Sequence, residues 1–228
     1  MLCLSRDVMT GLEEPGQRGK ERMDMVLQPN LIAGAPLCMT SLPPSRTCLY
    51  DTTELNAVLD RMASQAMALL PGNSPVAVVG ILRRGAPLAD LLTQRMVNAH
   101  GLKPPLRLDL SVKRYADDLT LLHPDTLLTE QAQHAALDLT GYTLLLVDDV
   151  FYTGHSILKV VPYLLQKHPA TIRVVCLADR CTAQLPVHAD VVGVKLAIAP
   201  ADIIECHVPP YEADFNIELL KPSRPTSA

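Results

Sequence analysis

The sequence predicts an α/β fold with a mainly parallel central sheet flanked by helices. Three segments are almost entirely apolar, as is typical of strands covered on both faces: Val76–Leu82, Leu144–Val147 and Ile172–Ala178. The first two are each followed by apolar residues at helical spacing, in segments 86–97 and 155–166. Strands that alternate with helices indicate a parallel sheet, because each parallel connection must cross from one end of the sheet to the other.

The remaining elements follow from local patterns. A first helix is predicted over Leu49–Leu70, where apolar residues recur at helical spacing until Pro71 and Gly72 stop the pattern. Leu106–Val112 alternates as a half-exposed strand. Segment 121–139 mixes His, Pro, Asp and Thr without a strong period, which is typical of a loop that closes over a bound molecule.

We predict three parts along the 228 residues: a mobile extension at 1–48, one α/β domain at 49–219 and a tail at 220–228. The extension lacks periodicity, and Met23 or Met25 are alternative starts of the chain. No segment has the pattern of a transmembrane helix or a secretory signal, so the cytoplasm is the expected location. The six cysteines and seven histidines lack metal-ligand spacing, which predicts reduced thiols and no metal held by the protein alone.

The strongest chemical signal lies at the end of the second apolar segment. Asp148 and Asp149 follow it directly, and a small hydroxyl-rich turn, Thr153–Ser156, precedes the predicted helix. Backbone N–H groups at a helix start bind phosphate. The two carboxylates repel phosphate, but they suit the vicinal hydroxyls of a ribose or a coordinated magnesium ion. The pattern therefore predicts a site for a ribose 5-phosphate.

This segment resembles the phosphoribosyl-pyrophosphate signature of the type I phosphoribosyltransferases, which has four apolar residues, two acidic ones and a turn ending Thr-Gly-x-Ser/Thr. Tyr152 stands immediately before Thr-Gly, and in this the segment is similar to the group of pyrimidine operon attenuators and uracil phosphoribosyltransferases. Purine enzymes of the hypoxanthine-guanine type carry an acid at this position. An ordinary polar loop entry is the alternative interpretation. The resemblance implies a fold with a flexible lid and a small hood. It also implies that ribose and phosphate are bound by Asp148, Asp149, Val150, Phe151, Tyr152, Thr153, Gly154, His155 and Ser156.

A basic turn follows the first apolar strand. Arg83, Arg84 and Gly85 stand where the family has its pyrophosphate loop; Arg84 and Gly85 match the usual Arg-Gly, and Arg83 replaces a common Thr. Two adjacent guanidiniums suit pyrophosphate, although a solvated basic turn is the alternative interpretation. The resemblance implies that Arg84, Asp148 and Asp149 are catalytic.

The start of the family's lid, Tyr-Arg-Asp-Asp-Leu, has a partial match here. Ala116 stands where the lid has Arg, and two residues are inserted before the Tyr, so Lys113 or Arg114 would supply the cation that reaches pyrophosphate. The lid residues implied by the resemblance are Lys113, Arg114, Tyr115, Asp117 and Asp118.

The resemblance places the base pocket after the third apolar segment. Asp179 and Arg180 match the group's Asp-Arg, and we expect them to border the base. We expect backbone groups near Val192 and Gly193 to bind its edge. Residues 181–184 depart from the group's Gly-His-Arg-Glu, so this region differs from the group where specificity is set.

The resemblance implies transfer of ribose 5-phosphate from phosphoribosyl pyrophosphate to a nucleobase. Uracil is the first expectation, giving UMP and pyrophosphate in pyrimidine salvage, with Mg²⁺ brought by the substrate. The alternatives are a nucleotide-sensing RNA-binding regulator with weak or no transferase activity and a phosphoribosyltransferase for another base. A formal net charge of −4 and a pI near 5.9 do not favour RNA as a partner. The family alone implies a homodimer or a higher homo-oligomer.

Overall fold

The computed structural model describes residues 41–42, 44–112, 128–129 and 137–225. The helices in this part of the chain are α1 (Thr52–Leu69), α2 (Gly85–His100) and α3 (His155–Leu165). The strands are β1 (Ser41–Leu42), β2 (Ser45–Tyr50), β3 (Val76–Leu82), β4 (Leu106–Val112), β5 (Leu128–Thr129), β6 (Thr143–Phe151), β7 (Thr171–Asp179), β8 (Val191–Lys195), β9 (Ile203–His207), β10 (Asn216–Lys221) and β11 (Arg224–Pro225).

Six strands form the central sheet in the order β5-β4-β3-β6-β7-β8. All of them run parallel except β5, which pairs antiparallel with the end of β4. This confirms the predicted α/β fold with a mainly parallel sheet. Gly80 of β3 lies opposite Val147 of β6. Because the two strands are parallel neighbours, the residues that follow Leu82 and those that follow Val147 meet at one edge of the sheet.

Different helices cover the two faces of this sheet. On one face, α1 and α2 pack over Val78, Leu145 and Val147. On the other, α3 packs over Leu144 and Leu146. Both faces of β6 are therefore buried, which explains its uninterrupted apolar run. Each fully buried aliphatic side chain contributes roughly 1.5–3 kcal/mol of transfer free energy, so the register of this strand is strongly specified.

The first helix begins later than the sequence pattern predicted. Leu49 and Tyr50 complete β2, and α1 starts at Thr52 behind the N-cap residue Asp51. The Asp51 carboxylate accepts the N–H of Glu54 at 2.9 Å, and the Glu54 carboxylate accepts the N–H of Asp51 at 2.9 Å. This reciprocal capping box satisfies two backbone donors and fixes where the helix starts.

A second, antiparallel sheet has the order β2-β10-β9, and we identify it with the predicted small hood. Its strands run past both predicted domain boundaries, because Ser45 pairs with Lys221 and Arg46 pairs with Leu220. The described ends of the predicted extension and tail also pair with each other, as β1 with β11. The boundaries at 48/49 and 219/220 therefore cut through paired strands. The sequence pattern missed this because the partners are far apart in the chain.

Among the described residues, no helix combines the length and the apolar character that crossing a membrane requires.

Candidate active site

The phosphate turn lies where the sequence predicted it, at the amino end of α3. The helix begins at His155, and its N-cap residue Gly154 has a φ of 86°. A Cβ atom at Gly154 would lie 2.5 Å from Cγ2 of Val187. Both the left-handed backbone and the close neighbour favour glycine at this position. Backbone N–H groups at the start of a helix have no intrahelical partner, so the first turn of α3 can donate to an anion.

Side chains and a neighbouring loop brace this turn. His155 Nδ1 and Thr153 Oγ1 lie 2.8 Å apart in a hydrogen bond. From the segment after β7, the N–H of Gln184 donates to the carbonyl of Thr153 at 3.2 Å. In the same segment the Thr182 hydroxyl lies 3.4 Å from the carbonyl oxygen of Tyr152. The region that departs most from the attenuator group therefore packs directly on the phosphate turn.

The acidic pair stands at the carboxyl end of β6. The Asp148 side chain is buried and the Asp149 side chain is half-buried; the N–H of Asp149 donates to Oδ1 of Asp148 at 3.0 Å. Val150 is half-buried, and Phe151 is buried in the face under α3. Of the residues predicted to bind ribose and phosphate, Val150 and Phe151 thus belong to the strand and its packing. Their contribution to a ligand would come from the backbone.

Two cysteines lie close to the acidic pair. Burial raises the pKa of the Cys206 thiol well above its ordinary value, and the charge of Asp149 raises it further. Burial also raises the pKa of Cys176, whose strand position is opposite Asp148. Both groups therefore remain protonated thiols at neutral pH and supply no thiolate nucleophile.

The basic turn meets the acidic strand through a glycine. Arg84 is the N-cap residue of α2 and Gly85 is its first residue. A Cβ atom at Gly85 would lie 2.6 Å from the carbonyl oxygen of Val147 and 3.2 Å from Cα of Asp148. No side chain fits this gap, so glycine is required for the start of α2 to lie this close to β6. The structure thus brings the predicted pyrophosphate loop against the predicted ribose site.

A residue that sequence reasoning missed holds the basic turn. Glu212, which lies between β9 and β10, accepts hydrogen bonds at Oε1 from Nε and Nη2 of Arg84, at 3.0 and 2.8 Å. Arg83 Nη2 lies 3.8 Å from the same oxygen, and its guanidinium lies 4.7 Å from the ring centroid of Tyr211. No motif marks Glu212, because its partner is 128 residues away in the chain.

The predicted base region contains a stacked pair. The guanidinium of Arg180 lies 4.2 Å from the ring centroid of Tyr152, and its Nη2 donates to the carbonyl of Asp202 at 2.9 Å. Arg180 is buried, while Tyr152 is 43% exposed. The Asp179 carboxylate accepts the N–H of Cys181 at 2.8 Å, which shapes the chain after β7. Tyr152 and Arg180 thus form one wall beside the phosphate turn.

Val192 and Gly193 stand apart from this pair. The register places Val192 opposite Cys176, and it places Lys195 opposite Asp179. Gly193 packs against α1, and its carbonyl accepts a hydrogen bond from Arg61. In this structure Lys195, rather than Val192 or Gly193, is therefore level with the residues expected to border the base.

The predicted lid residues, Lys113, Arg114, Tyr115, Asp117 and Asp118, lie outside the described residues. The described part of the chain has one group of three side chains with metal-ligand character, Glu205, His207 and Glu218, whose ligand atoms lie within 4.8 Å of one another. Arg46 donates to both glutamates, so a guanidinium already offsets one of the two carboxylate charges of this group on the hood sheet.

The site lies where the chain changes direction across the sheet. From β3 the chain continues through α2 to β4 on one side, and from β6 it continues through α3 to β7 on the other. The loops after β3 and β6 therefore diverge and leave a crevice between them. In open parallel sheets such a switch point is where ligands bind.

Comparison with known proteins supports the same interpretation. The phosphoribosyl transferase domain family matches residues 45–214. The bifunctional protein PyrR of Elusimicrobium minutum is 33% identical over 173 residues, covering 75% of this chain and 95% of that protein. PyrR of Gloeothece citriformis is 32% identical over 174 residues, covering 76% and 96%.

Solved structures share the fold at lower identity. A hypoxanthine phosphoribosyltransferase of Trypanosoma cruzi superposes with a TM-score of 0.57 at 16% identity, covering 77% of this chain and 97% of that one. The Staphylococcus aureus hypoxanthine phosphoribosyltransferase gives a TM-score of 0.56 at 16% identity, covering 69% and 80%. These matches confirm the predicted fold and the predicted resemblance. The chain belongs to the phosphoribosyl transferase domain family, in the group that includes the bifunctional PyrR proteins.

Proposed function

We propose that this phosphoribosyltransferase uses uracil as its acceptor and forms UMP and pyrophosphate from phosphoribosyl pyrophosphate. One observation carries the proposal: the phosphate turn, the acidic pair and the basic turn converge at the switch point between β3 and β6. The basic turn lies against the strand that carries the acidic pair: a Cβ atom at Gly85 would lie 2.6 Å from the Val147 carbonyl oxygen. A molecule with a phosphate at one end, a ribose in the middle and a pyrophosphate beyond it matches this order of groups.

In the proposed complex, the first turn of α3 binds the 5-phosphate. The N–H groups that follow Gly154, together with the hydroxyls of Thr153 and Ser156, supply the donors. Asp148 and Asp149 accept from the ribose hydroxyls, since both groups lie at the carboxyl end of β6 and offer only acceptors when ionised.

Bond breaking at C1 of the ribose leaves negative charge on the pyrophosphate and positive charge on the sugar. The basic turn supplies the guanidinium charge that stabilises the departing anion, and Lys113 or Arg114 is the proposed lid cation. Asp148 and Asp149 lie on the ribose side, where a carboxylate favours developing positive charge. A closed lid would exclude water and so protect the activated sugar from hydrolysis.

Mg²⁺ is the proposed metal, brought by the substrate and held there by Asp148 or Asp149. The donor set fits, because Mg²⁺ prefers oxygen ligands and is commonly bound by one or two carboxylates together with substrate phosphates. When bound, the ion would neutralise pyrophosphate charge.

Tyr152 supports a pyrimidine over a purine. This position carries an aromatic ring, which stacks on Arg180, and not a carboxylate that could serve a purine nitrogen. The resemblance to the attenuator group, which also has Tyr before Thr-Gly, implies the same choice. The solved hypoxanthine enzymes are under 20% identical and support the fold alone.

Purified protein with Mg²⁺ and phosphoribosyl pyrophosphate should be assayed for pyrophosphate release with uracil, orotate, hypoxanthine, guanine, adenine and xanthine. We expect release with uracil, abolished by the double substitution Asp148→Asn/Asp149→Asn. Release with another base alone would overturn the specificity and leave the transferase chemistry in place.

A regulatory role is the second candidate, because the relatives are named bifunctional proteins. Tight binding of UMP without turnover of any base would favour it. A formal net charge of −4 does not favour RNA as the partner of such a regulator. A cytoplasmic location and a homodimeric or higher assembly stay predictions.

A further inference from the structure

The two arginines of the basic turn are held differently. Arg84 donates through Nε and Nη2 to one oxygen of Glu212, whereas Arg83 lies 3.8 Å from that oxygen, beyond hydrogen-bond distance. The side chain of Arg84 is 31% exposed and that of Arg83 is 66% exposed. One guanidinium is therefore fixed, and the other faces solvent over the ring of Tyr211.

Glu212 is itself anchored. Its second oxygen, Oε2, accepts the N–H of Val208 at 3.0 Å, and its side chain is 18% exposed. Burial alone would raise the pKa of Glu212, but the hydrogen bonds from Arg84 and Val208 outweigh burial and lower it. The carboxylate is thus ionised at neutral pH and bound to its own loop, so an incoming anion would not simply displace it.

We propose that Glu212 sequesters Arg84 as a neutralised pair, and that Arg83 is the guanidinium that meets the pyrophosphate group of the substrate. This inference rests on the proposed function and refines its pyrophosphate subsite. It gives a role to the position where this chain departs from the attenuator group, which commonly has Thr in place of Arg83. Glu212 acts through Arg84 and is a positioning residue.

The charges around the turn favour this division. Arg84 is one full positive charge, and Glu212 contributes one full negative charge at 2.8 Å. Burial lowers the pKa of Arg84, but the hydrogen bonds and charge of Glu212, with a smaller contribution from the charge of Asp149, raise it above its ordinary value. At the pyrophosphate position the field of Arg84 is therefore largely cancelled. Arg83 has no such close partner among the described residues, since its 3.8 Å approach to Glu212 is long and solvent-exposed.

Calorimetric titration with inorganic pyrophosphate and Mg²⁺ tests the proposal without any acceptor base. Arg83→Thr should weaken binding about tenfold, as expected for the loss of one hydrogen bond to a charged group. The matched control is Lys103→Thr, which removes the same charge from an exposed position before β4, at the opposite edge of the sheet. The control should change the affinity less than about twofold, because the charge is distant and screened.

Glu212→Gln gives the decisive comparison. Removing the negative charge should release Arg84 and tighten pyrophosphate binding a few-fold, roughly the effect of one exposed charge. Added to Arg83→Thr, the same substitution should restore part of the lost affinity. A purely structural role for Glu212 would weaken binding in both backgrounds. The fitted stoichiometry of each titration reports the folded fraction, so loss of folding is separated from loss of affinity.

Two results would overturn the inference: equal affinities of Arg83→Thr and Lys103→Thr, or weaker binding by the double variant than by Arg83→Thr alone. Failure of the proposed function looks different. In that case the unmodified protein itself would bind neither pyrophosphate nor phosphoribosyl pyrophosphate.

Discussion

Gly85→Ala is the sharpest test of how the basic turn and the acidic strand share space. The new methyl group would lie 2.6 Å from the Val147 carbonyl oxygen and 3.2 Å from Cα of Asp148. Both neighbours are backbone atoms of the central strand β6, which is paired on both sides, so neither can move aside cheaply. Overpacking of this kind costs about 1–3 kcal/mol. For a chain of this size that loss lowers Tm by roughly 2–12 °C.

Gly85→Ala should also weaken substrate binding, because separating the basic turn from β6 moves Arg83 and Arg84 away from the acidic pair. Urea unfolding should report the lost free energy, and calorimetry should report weaker binding of phosphoribosyl pyrophosphate. Gly72→Ala is the matched control, since no atom lies within 4 Å of its Cβ position. If Gly85→Ala unfolds and binds like Gly72→Ala, the argument from close approach is wrong.

Three further perturbations follow from the same structure. Gly154→Ala should weaken ribose 5-phosphate binding in a calorimetric titration, because its φ of 86° and the contact with Val187 both oppose a Cβ; unchanged affinity would contradict this. Asp51→Ala should lower the free energy of unfolding by about 1 kcal/mol through loss of the helix cap, with transferase activity kept. At pH 8, iodoacetamide should leave Cys176 and Cys206 unmodified in the folded protein, because burial raises the pKa of both thiols; mass spectrometry showing either one alkylated before unfolding would refute this.

The acidic strand and the phosphate turn were predictable because their signals are local. An apolar run sets β6 in the sheet centre, and Gly154 with the apolar spacing after it sets the start of α3. The start of α1 was also present in the sequence: Asp51 and Glu54 have the spacing of a capping box, and that pattern would have corrected the predicted start at Leu49.

The hood and its contacts were not predictable in this way. β2 is a short, mostly exposed strand and β10 a short, mostly half-buried one, and they pair although they are distant in the chain. The bond between Arg84 and Glu212 depends on that pairing, since Glu212 lies in the loop that leads into β10. Neither residue carries a local signal for the other, so one-dimensional patterns reveal the cation and miss its partner.

This difference separates two parts of the site. The groups proposed for phosphate, ribose and pyrophosphate lie at the switch point itself, where the directions of α2 and α3 force the loops after β3 and β6 apart. The groups expected at the base, by contrast, come from the end of β7 and the chain after it, which rests on the turn through Gln184 and Thr182. Substitutions at 181–184 can therefore reshape the acceptor pocket while the switch point stays intact. That is why the fold and the transfer chemistry follow from this sequence more directly than the identity of the base.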